Sequence, residues 1–231
     1  MRRVTPHAAV VLLSGGQDST TCLAWALERY QRIECVTFDY GQRHHVELAA
    51  AARIAAAAGV AQTVIPCDSF SALGGNSLTG TAAVETAVDL ETGLPNTFVP
   101  GRNLVFLTLA AAFAWQRGIT DIVTGVCQTD YSGYPDCRAD TMVALEAALR
   151  AGIDFPINLH TPLMYLTKAE TVIMLRDLGR LDLLRQSHTC YNGQIPPCGT
   201  CPACVLRAKG FAEAGVEDPL GALPLVRGPR S

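Results

Sequence analysis

Lysine is almost missing from this sequence. The 231 residues contain two, Lys168 and Lys209, so nearly all positive charge is arginine, and the formal net charge is −3. A long nucleic-acid backbone is bound mainly through clustered Lys and Arg. A mildly acidic chain without a polycationic surface is a poor match, so no nucleic-acid partner is expected. Charged residues of both signs are scarce, at 17% against about 25% in ordinary domains. With 49% hydrophobic residues, that excludes disorder. Long apolar runs are also lacking. The longest strongly apolar helical stretch, Leu104 to Trp115, falls well short of the roughly 20 residues a bilayer needs. Arg2 and Arg3 precede a short apolar run, Ala8–Leu13, but it ends in Ser14-Gly15-Gly16-Gln17-Asp18 without a small-residue cleavage site. The chain therefore reads as cytoplasmic, with no membrane partner. Its length suits one large domain, or a domain with a small appendage.

Cysteine, in contrast, is plentiful. There are nine, and an odd number argues against a complete disulfide framework. Cys22, Cys35, Cys67, Cys127 and Cys137 are scattered and read as core or incidental residues. Cys190, Cys198, Cys201 and Cys204 are clustered, which in a reducing compartment points to a metal. Four thiolates are the set for a closed tetrahedral Zn²⁺ site, one ion per chain and structural in role, since no coordination position stays open. Pro196, Pro197, Gly199 and Pro202 shape the turns between them. An Fe–S cluster is the alternative, because Cys198-x2-Cys201-x2-Cys204 resembles part of a ferredoxin run.

Short apolar runs alternate with longer amphipathic ones. Ala8–Leu13, Ile33–Phe38, Thr63–Pro66 and Asp121–Gly125 predict strands; Ser19–Tyr30, His44–Ala58 and Arg102–Arg117 predict helices between them. Strand then helix, repeated, implies an open, doubly wound, mainly parallel α/β sheet. Leu73–Asn96 reads as an insertion, with further helices at Ala139–Ala151, Lys168–Leu178 and near Val205–Ala214. The expected organisation is a main domain over 1–186, a metal-binding segment with a helix over 187–214, and a Pro/Gly-rich tail over 215–231.

The chemistry begins at Ser14-Gly15-Gly16-Gln17-Asp18-Ser19. Glycines after a buried strand let backbone N–H groups approach an anion, and the helix that follows adds unsatisfied donors and a positive dipole end. No Gly-Lys-Ser/Thr ending is present, so this is not a Walker loop. The bland reading is a tight strand–helix turn with Ser19 as cap. The whole string, however, resembles the loop of the PP-loop ATP pyrophosphatases (adenine nucleotide alpha hydrolase-like). That resemblance implies cleavage of ATP between its α and β phosphates, a loop holding the departing diphosphate, and adenylation of a substrate oxygen. Asp18 is then a candidate Mg²⁺-associated carboxylate, or a structural acceptor of backbone N–H groups.

Ligands of an open α/β sheet sit beyond the carboxyl ends of its strands, where three marked segments fall. These are Phe38-Asp39-Tyr40-Gly41-Gln42-Arg43-His44, Val99-Pro100-Gly101-Arg102-Asn103, and Gly125 to Arg138. The last is too polar for a core. Tyr131 and Tyr134 suit stacking on a flat heterocycle, and Gln128, Asp130 and Asp136 suit its N–H donors. Arg102 or Arg138 suits a forked pairing with a carboxylate.

Together these segments resemble the 7-cyano-7-deazaguanine synthase (QueC) family. Leu13 to Cys22, Phe38 to His44, Pro100 to Asn103, Gly125 to Arg138, Thr161 to Glu170 and Ser187 to Cys204 carry the match, which spans nearly the whole chain. The resemblance implies an ATP-dependent ligase of queuosine biosynthesis that turns 7-carboxy-7-deazaguanine and ammonia into the nitrile. It would pass through an adenylated carboxylate and an adenylated amide, with Mg²⁺ and Zn²⁺ as metals and a homodimer as the assembly. Asp18, Lys168 and Arg102 become candidate catalytic residues, although Lys168 also reads as a surface residue at a helix start. Leu13, Ser14, Gly15, Gly16, Gln17, Asp18, Ser19, Thr20, Thr21, Cys22 and Leu23 become the candidate ATP-binding run. Gln128, Asp130, Tyr131, Tyr134, Asp136 and Arg138 become candidates for the deazapurine. No glutaminase domain fits in this length, so ammonia is expected free or from another protein. Two rival readings are a PP-loop tRNA-thiolating enzyme, which would need an RNA surface, and a zinc-ribbon module on a degenerate ATPase-like domain.

Overall fold

The computed structural model describes residues 4–42, 46–74, 77–78, 91–129 and 133–221. Five parallel strands lie in the order β3-β2-β1-β4-β5: β1 (Ala8–Leu12), β2 (Arg32–Asp39), β3 (Ala61–Pro66), β4 (Asp121–Val123) and β5 (Asn158–His160). The helices are α1 (Gln17–Leu27), α2 (Val46–Ala58), α3 (Ser69–Leu73), α4 (Arg102–Arg117), α5 (Ala139–Ile153), α6 (Lys168–Asp177) and α7 (Pro202–Ala214). Among the described residues no helix is long and apolar enough to cross a membrane.

Why the central strand lacks polar alternation is visible in its packing. Successive side chains of a strand point to opposite faces. Ala8 and Val10 enter one cluster with Leu107, Ala110 and Ala114 of α4. Ala9 and Val11 enter another with Cys22 and Leu23 of α1 and Ala51 and Ile54 of α2. Helices cover both faces, so every position of β1 must be apolar. A third cluster joins Ala24 of α1, Val172 and Leu175 of α6, Leu184 of the turn before the cysteine segment, and Phe211 of α7. It attaches the carboxyl-terminal helices to the main body.

β5 and α3 went beyond the sequence pattern. β5 has three residues and a half-buried profile, too short for a period-2 signal, and α3 is a single short turn after Cys67. β4 ends at Val123 rather than Gly125, leaving Thr124 and Gly125 as loop. The first helix begins at Gln17, two residues before Ser19, with Gly16 at its cap and no side-chain capping bond. The last begins at Pro202, where a proline loses no helical hydrogen bond. Of the predicted insertion, residues 75–76 and 79–90 lie outside the described residues.

Candidate active site

Strand order reverses at β1, which has β2 and β3 on one side and β4 and β5 on the other. The loops leaving β1 and β4 therefore diverge and open a crevice at the carboxyl edge of the sheet. A cavity of about 290 Å³ lies there, lined by Ser14, Asp18, Tyr40, Arg102, Phe106 and Tyr134 among others.

The Ser14–Ser19 loop is held from several sides. Ser14 N donates to Ser19 Oγ (3.2 Å), the two hydroxyls lie 3.0 Å apart, and Ser19 Oγ donates to Gly16 O (3.1 Å). Ser19 thus ties the loop rather than capping the helix. Gly15 has φ +91°, and a Cβ there would lie 2.5 Å from Glu47 O and 2.8 Å from Ala51 N. Glycine is required on both counts, and its absence of a side chain seats α2 against the loop. On the far side His188 N donates to Gly15 O (2.8 Å).

Asp18 and Lys168 meet although 150 residues separate them. Lys168 Nζ donates to Asp18 Oδ2 at 2.6 Å. The other oxygen, Asp18 Oδ1, is buried without a protein partner, the condition of a carboxylate that awaits a further ligand. Thr167 and Glu170 form a capping box that fixes the start of α6, and with it Lys168. Gly210 of α7 packs directly on Lys168: a Cβ there would lie 2.8 Å from Lys168 Cβ. The lysine is thus a partnered, mostly buried group. Behind this pair a second cavity of about 290 Å³ shares Asp18 and Cys127 with the first and is lined by Thr129, Thr167, Lys168, Thr171 and Lys209. Both lysines of the chain face it.

Arg102 opens α4 after Gly101, whose φ of +72° turns the chain into the helix. Its guanidinium donates to Tyr40 Oη at 3.4 Å and stands 5.6 Å from the Tyr40 ring. Burial works against its charge, but the surrounding Tyr40, Tyr134, Tyr191 and Asp136 hold its pKa above the ordinary arginine value. Phe38 and Phe106 stack at 4.3 Å beside Leu12 and Val36 and supply a flat apolar wall.

The predicted residues fall into groups. Leu13, Ser14, Asp18, Ser19, Arg102 and Tyr134 line the main cavity. Gln17, Thr20, Thr21, Cys22 and Leu23 are buried inside α1; Thr20 and Thr21 hydroxyls donate back to Gly16 O and Gln17 O. Tyr134 is buried with its hydroxyl 2.6 Å from Thr97 Oγ1, leaving its ring to the cavity. Asp136 accepts from Asn103 N (2.9 Å), and Gln128 Oε1 accepts from Ala139 N (3.0 Å) at the start of α5. Arg138 is exposed at that helix start and does not line the cavity. Asp130 and Tyr131 lie outside the described residues.

Sequence pattern alone did not mark Glu47, Phe106 or Tyr191, all of which line the cavity. Phe106 sits one helical turn from Arg102, a spacing that could have marked it. Glu47 looked like an ordinary acidic residue in a first helical turn.

Cys190, Cys198, Cys201 and Cys204 bring their Sγ atoms within 4.8 Å of one another. Cys201 caps α7, and Cys198 Sγ accepts from Cys201 N (3.3 Å) and Thr200 N (3.5 Å). The Cys204 thiol, with backbone donors, pulls the Cys201 thiol down to about 5. Backbone N–H groups around a sulfur favour the thiolate that a metal needs. Four soft donors with no open position fit a structural metal. Tyr191, beside the first of them, reaches the main cavity. Of the remaining cysteines, burial pushes Cys35 up to about 12 and raises Cys22 and Cys67 as well, which marks them as inert.

The family model described as "Queuosine biosynthesis protein QueC" matches residues 8–215. The chain belongs to the QueC family. A QueC relative from Chromobacterium violaceum, named 7-cyano-7-deazaguanine synthase, is 64% identical over 223 residues, covering 95% of each chain. One of the same name from Laribacter hongkongensis is 63% identical over 216 residues, 93% of this chain and 94% of the relative. Among solved structures, a 4-thiouridine synthetase–RNA complex with bound ATP aligns over 90% of this chain and 50% of that one. Its 18% identity and TM-score of 0.49 are too low to add to the assignment.

Proposed function

We propose that this QueC protein is a 7-cyano-7-deazaguanine synthase, an ATP-dependent carbon–nitrogen ligase of queuosine biosynthesis. The observation that carries this reading is the crevice between β1 and β4, where the Ser14–Ser19 loop faces Arg102 across an aromatic wall. A carboxylate oxygen is a poor leaving group until AMP is attached to it. Arg102 presents a forked donor to the carboxylate of 7-carboxy-7-deazaguanine, and Phe38, Phe106 and the Tyr134 ring receive flat heterocycles. The substrate oxygen attacks the α-phosphorus of ATP, and the bond to the β-phosphate breaks. Backbone donors of the loop, the Ser14 and Ser19 hydroxyls and Lys168 stabilise charge developing on the departing diphosphate.

Ammonia then displaces AMP from the acyl adenylate and gives the amide. In a second cycle the amide oxygen is adenylated, and loss of AMP with nitrogen-bound protons leaves the nitrile. Mg²⁺ fits beside Asp18, whose buried free oxygen suits a hard cation, and would supply charge neutralisation to the phosphates. Zn²⁺ fits the four cysteines as a structural ion. We place the enzyme in the cytoplasm as a homodimer using free ammonia. The test is incubation with ATP, Mg²⁺, ammonium and 7-carboxy-7-deazaguanine. AMP, diphosphate and the nitrile are expected; ADP, or no substrate-dependent turnover, would overturn the reading.

A further inference from the structure

Forming the amide needs something that the adenylation machinery does not provide. At neutral pH the nitrogen donor is mainly ammonium, which has no lone pair until it loses a proton. Among the described residues that line the main cavity there is no histidine and no lysine; the carboxylates are Asp18 and Glu47. Asp18 is already engaged, its Oδ2 accepting from Lys168 Nζ at 2.6 Å. Arg102, the cation that acts on Glu47, is bonded to Tyr40, and Lys168 is bonded to Asp18.

The position of Glu47 is set by the fold. It lies in the first turn of α2, and that turn is seated on the phosphate loop because Gly15 has no side chain to keep Glu47 O away. From there the residue borders the same cavity as Ser14, Asp18 and Arg102. We propose that Glu47 binds the ammonium ion and acts as general base in amide formation, an inference that rests on the adenylation reading above.

The step balances. Ammonium gives one proton to the Glu47 carboxylate, and the freed lone pair attacks the acyl carbon. The C–O bond to AMP breaks with its electron pair on the phosphate oxygen, which takes the surplus proton of the adduct. Products are the amide, AMP as a monoanion, and protonated Glu47, which returns its proton to solvent. A desolvated carboxylate suits both tasks, since it attracts a small cation and accepts a proton near neutrality. Burial pushes the Glu47 carboxyl up to about 7, against the opposing effect of Arg102. Among the described residues, the ionisable groups facing the same space are Arg102 of α4, Asp18 of α1, and the phenols Tyr40, Tyr134 and Tyr191. The thiols Cys127 and Cys137 border it as well.

The experiment compares wild type with Glu47→Gln in three assays. These are the acid with ammonium, the preformed amide with ATP, and the acid with hydroxylamine, a nucleophile largely unprotonated at neutral pH. The amide-to-nitrile stage takes up no ammonium, and its protons leave an acidic imidate nitrogen. Glu47→Gln is expected to slow amide formation from ammonium about a hundredfold or more. It should leave the other two rates within about threefold. Equal losses in all three assays, or none in the first, would overturn the proposal. Wild type alone gives a second check should the variant not fold. At fixed total ammonium its rate should level off above pH about 7, whereas simple capture of free ammonia would keep rising toward pH 9. Wild-type silence in every assay would instead refute the adenylation reading.

Discussion

Two glycines inside helices should respond to the same substitution with opposite signs. In an open helical position Gly→Ala stabilises by about 0.5–1 kcal/mol, because alanine loses less backbone entropy on folding. A methyl group on Gly152, in α5, would meet no atom within 4 Å, so Gly152→Ala should show that gain. Gly210, in α7, is different. A methyl group there would lie 2.8 Å from Lys168 Cβ, 3.1 Å from its carbonyl carbon and 3.2 Å from its carbonyl oxygen. Two of these neighbours are main-chain atoms of α6 and cannot swing aside. Overpacking of this kind costs about 1–3 kcal/mol, which outweighs the propensity gain and leaves a net loss of about 1–2 kcal/mol. At about 2–4 °C per kcal/mol for this chain length, Gly210→Ala should melt roughly 2–8 °C below wild type and Gly152→Ala slightly above it. Because α6 must shift, the Asp18–Lys168 contact should lengthen and turnover fall in Gly210→Ala alone. Differential scanning calorimetry and an AMP-release assay read both effects. Equal stabilisation by the two substitutions, or a destabilised Gly210→Ala with full turnover, would refute the claim that this helix contact places Lys168.

Lys168→Met should leave Asp18 without its cation and lower kcat/KM by about a hundredfold or more, the scale on which a single charge-stabilising donor acts; steady-state kinetics measure it. Asp218→Asn should cost about 3–5 kcal/mol, because Arg207, with no exposed surface, is held by Asp218 at 2.6 and 2.8 Å; urea unfolding checks this. Cys201→Ser should release the metal and weaken ATP binding as well, since the Ser187–Cys190 segment that leads into the cluster donates from His188 N to Gly15 O of the Ser14–Ser19 loop. Elemental analysis and nucleotide titration read the two losses, and metal loss with unchanged ATP affinity would break the link. The raised folded-state pKa of Glu47 means that folding favours its protonated form. Its relative stabilisation is complete below the unfolded value near 4.5 and is lost as pH rises through about 7. Glu47→Gln should therefore match wild type in stability at pH 4 and exceed it above pH 7, as melting across that range would show.

The sheet was legible because both of its faces are covered, which left β1 as an uninterrupted apolar run and gave α1, α2 and α4 clear periodicity. β5 was not: three residues beside β4 owe their strand form to a neighbour that no local pattern encodes. Motifs with their own chemistry led to the right places: Ser14, Asp18 and Ser19 line the cavity, and the four cysteines cluster. The site was less legible where chemistry depends on packing. Nothing near Lys168 in the sequence announces Asp18, and nothing near Glu47 announces that its helix rests on Gly15. In the Gly125–Arg138 segment the polar pattern mixed cavity residues with structural ones. Tyr134 borders the cavity, whereas Gln128 and Asp136 satisfy backbone donors at the starts of α5 and α4.

The central claim is that substrate oxygen is transferred to AMP, and oxygen labelling tests it most directly. 7-Carboxy-7-deazaguanine carrying ¹⁸O in both carboxylate positions should yield unlabelled nitrile, with one labelled oxygen in the phosphate of each AMP released, one AMP from each adenylation. Label appearing in inorganic phosphate alongside ADP, or lost to water with AMP unlabelled, would contradict the account.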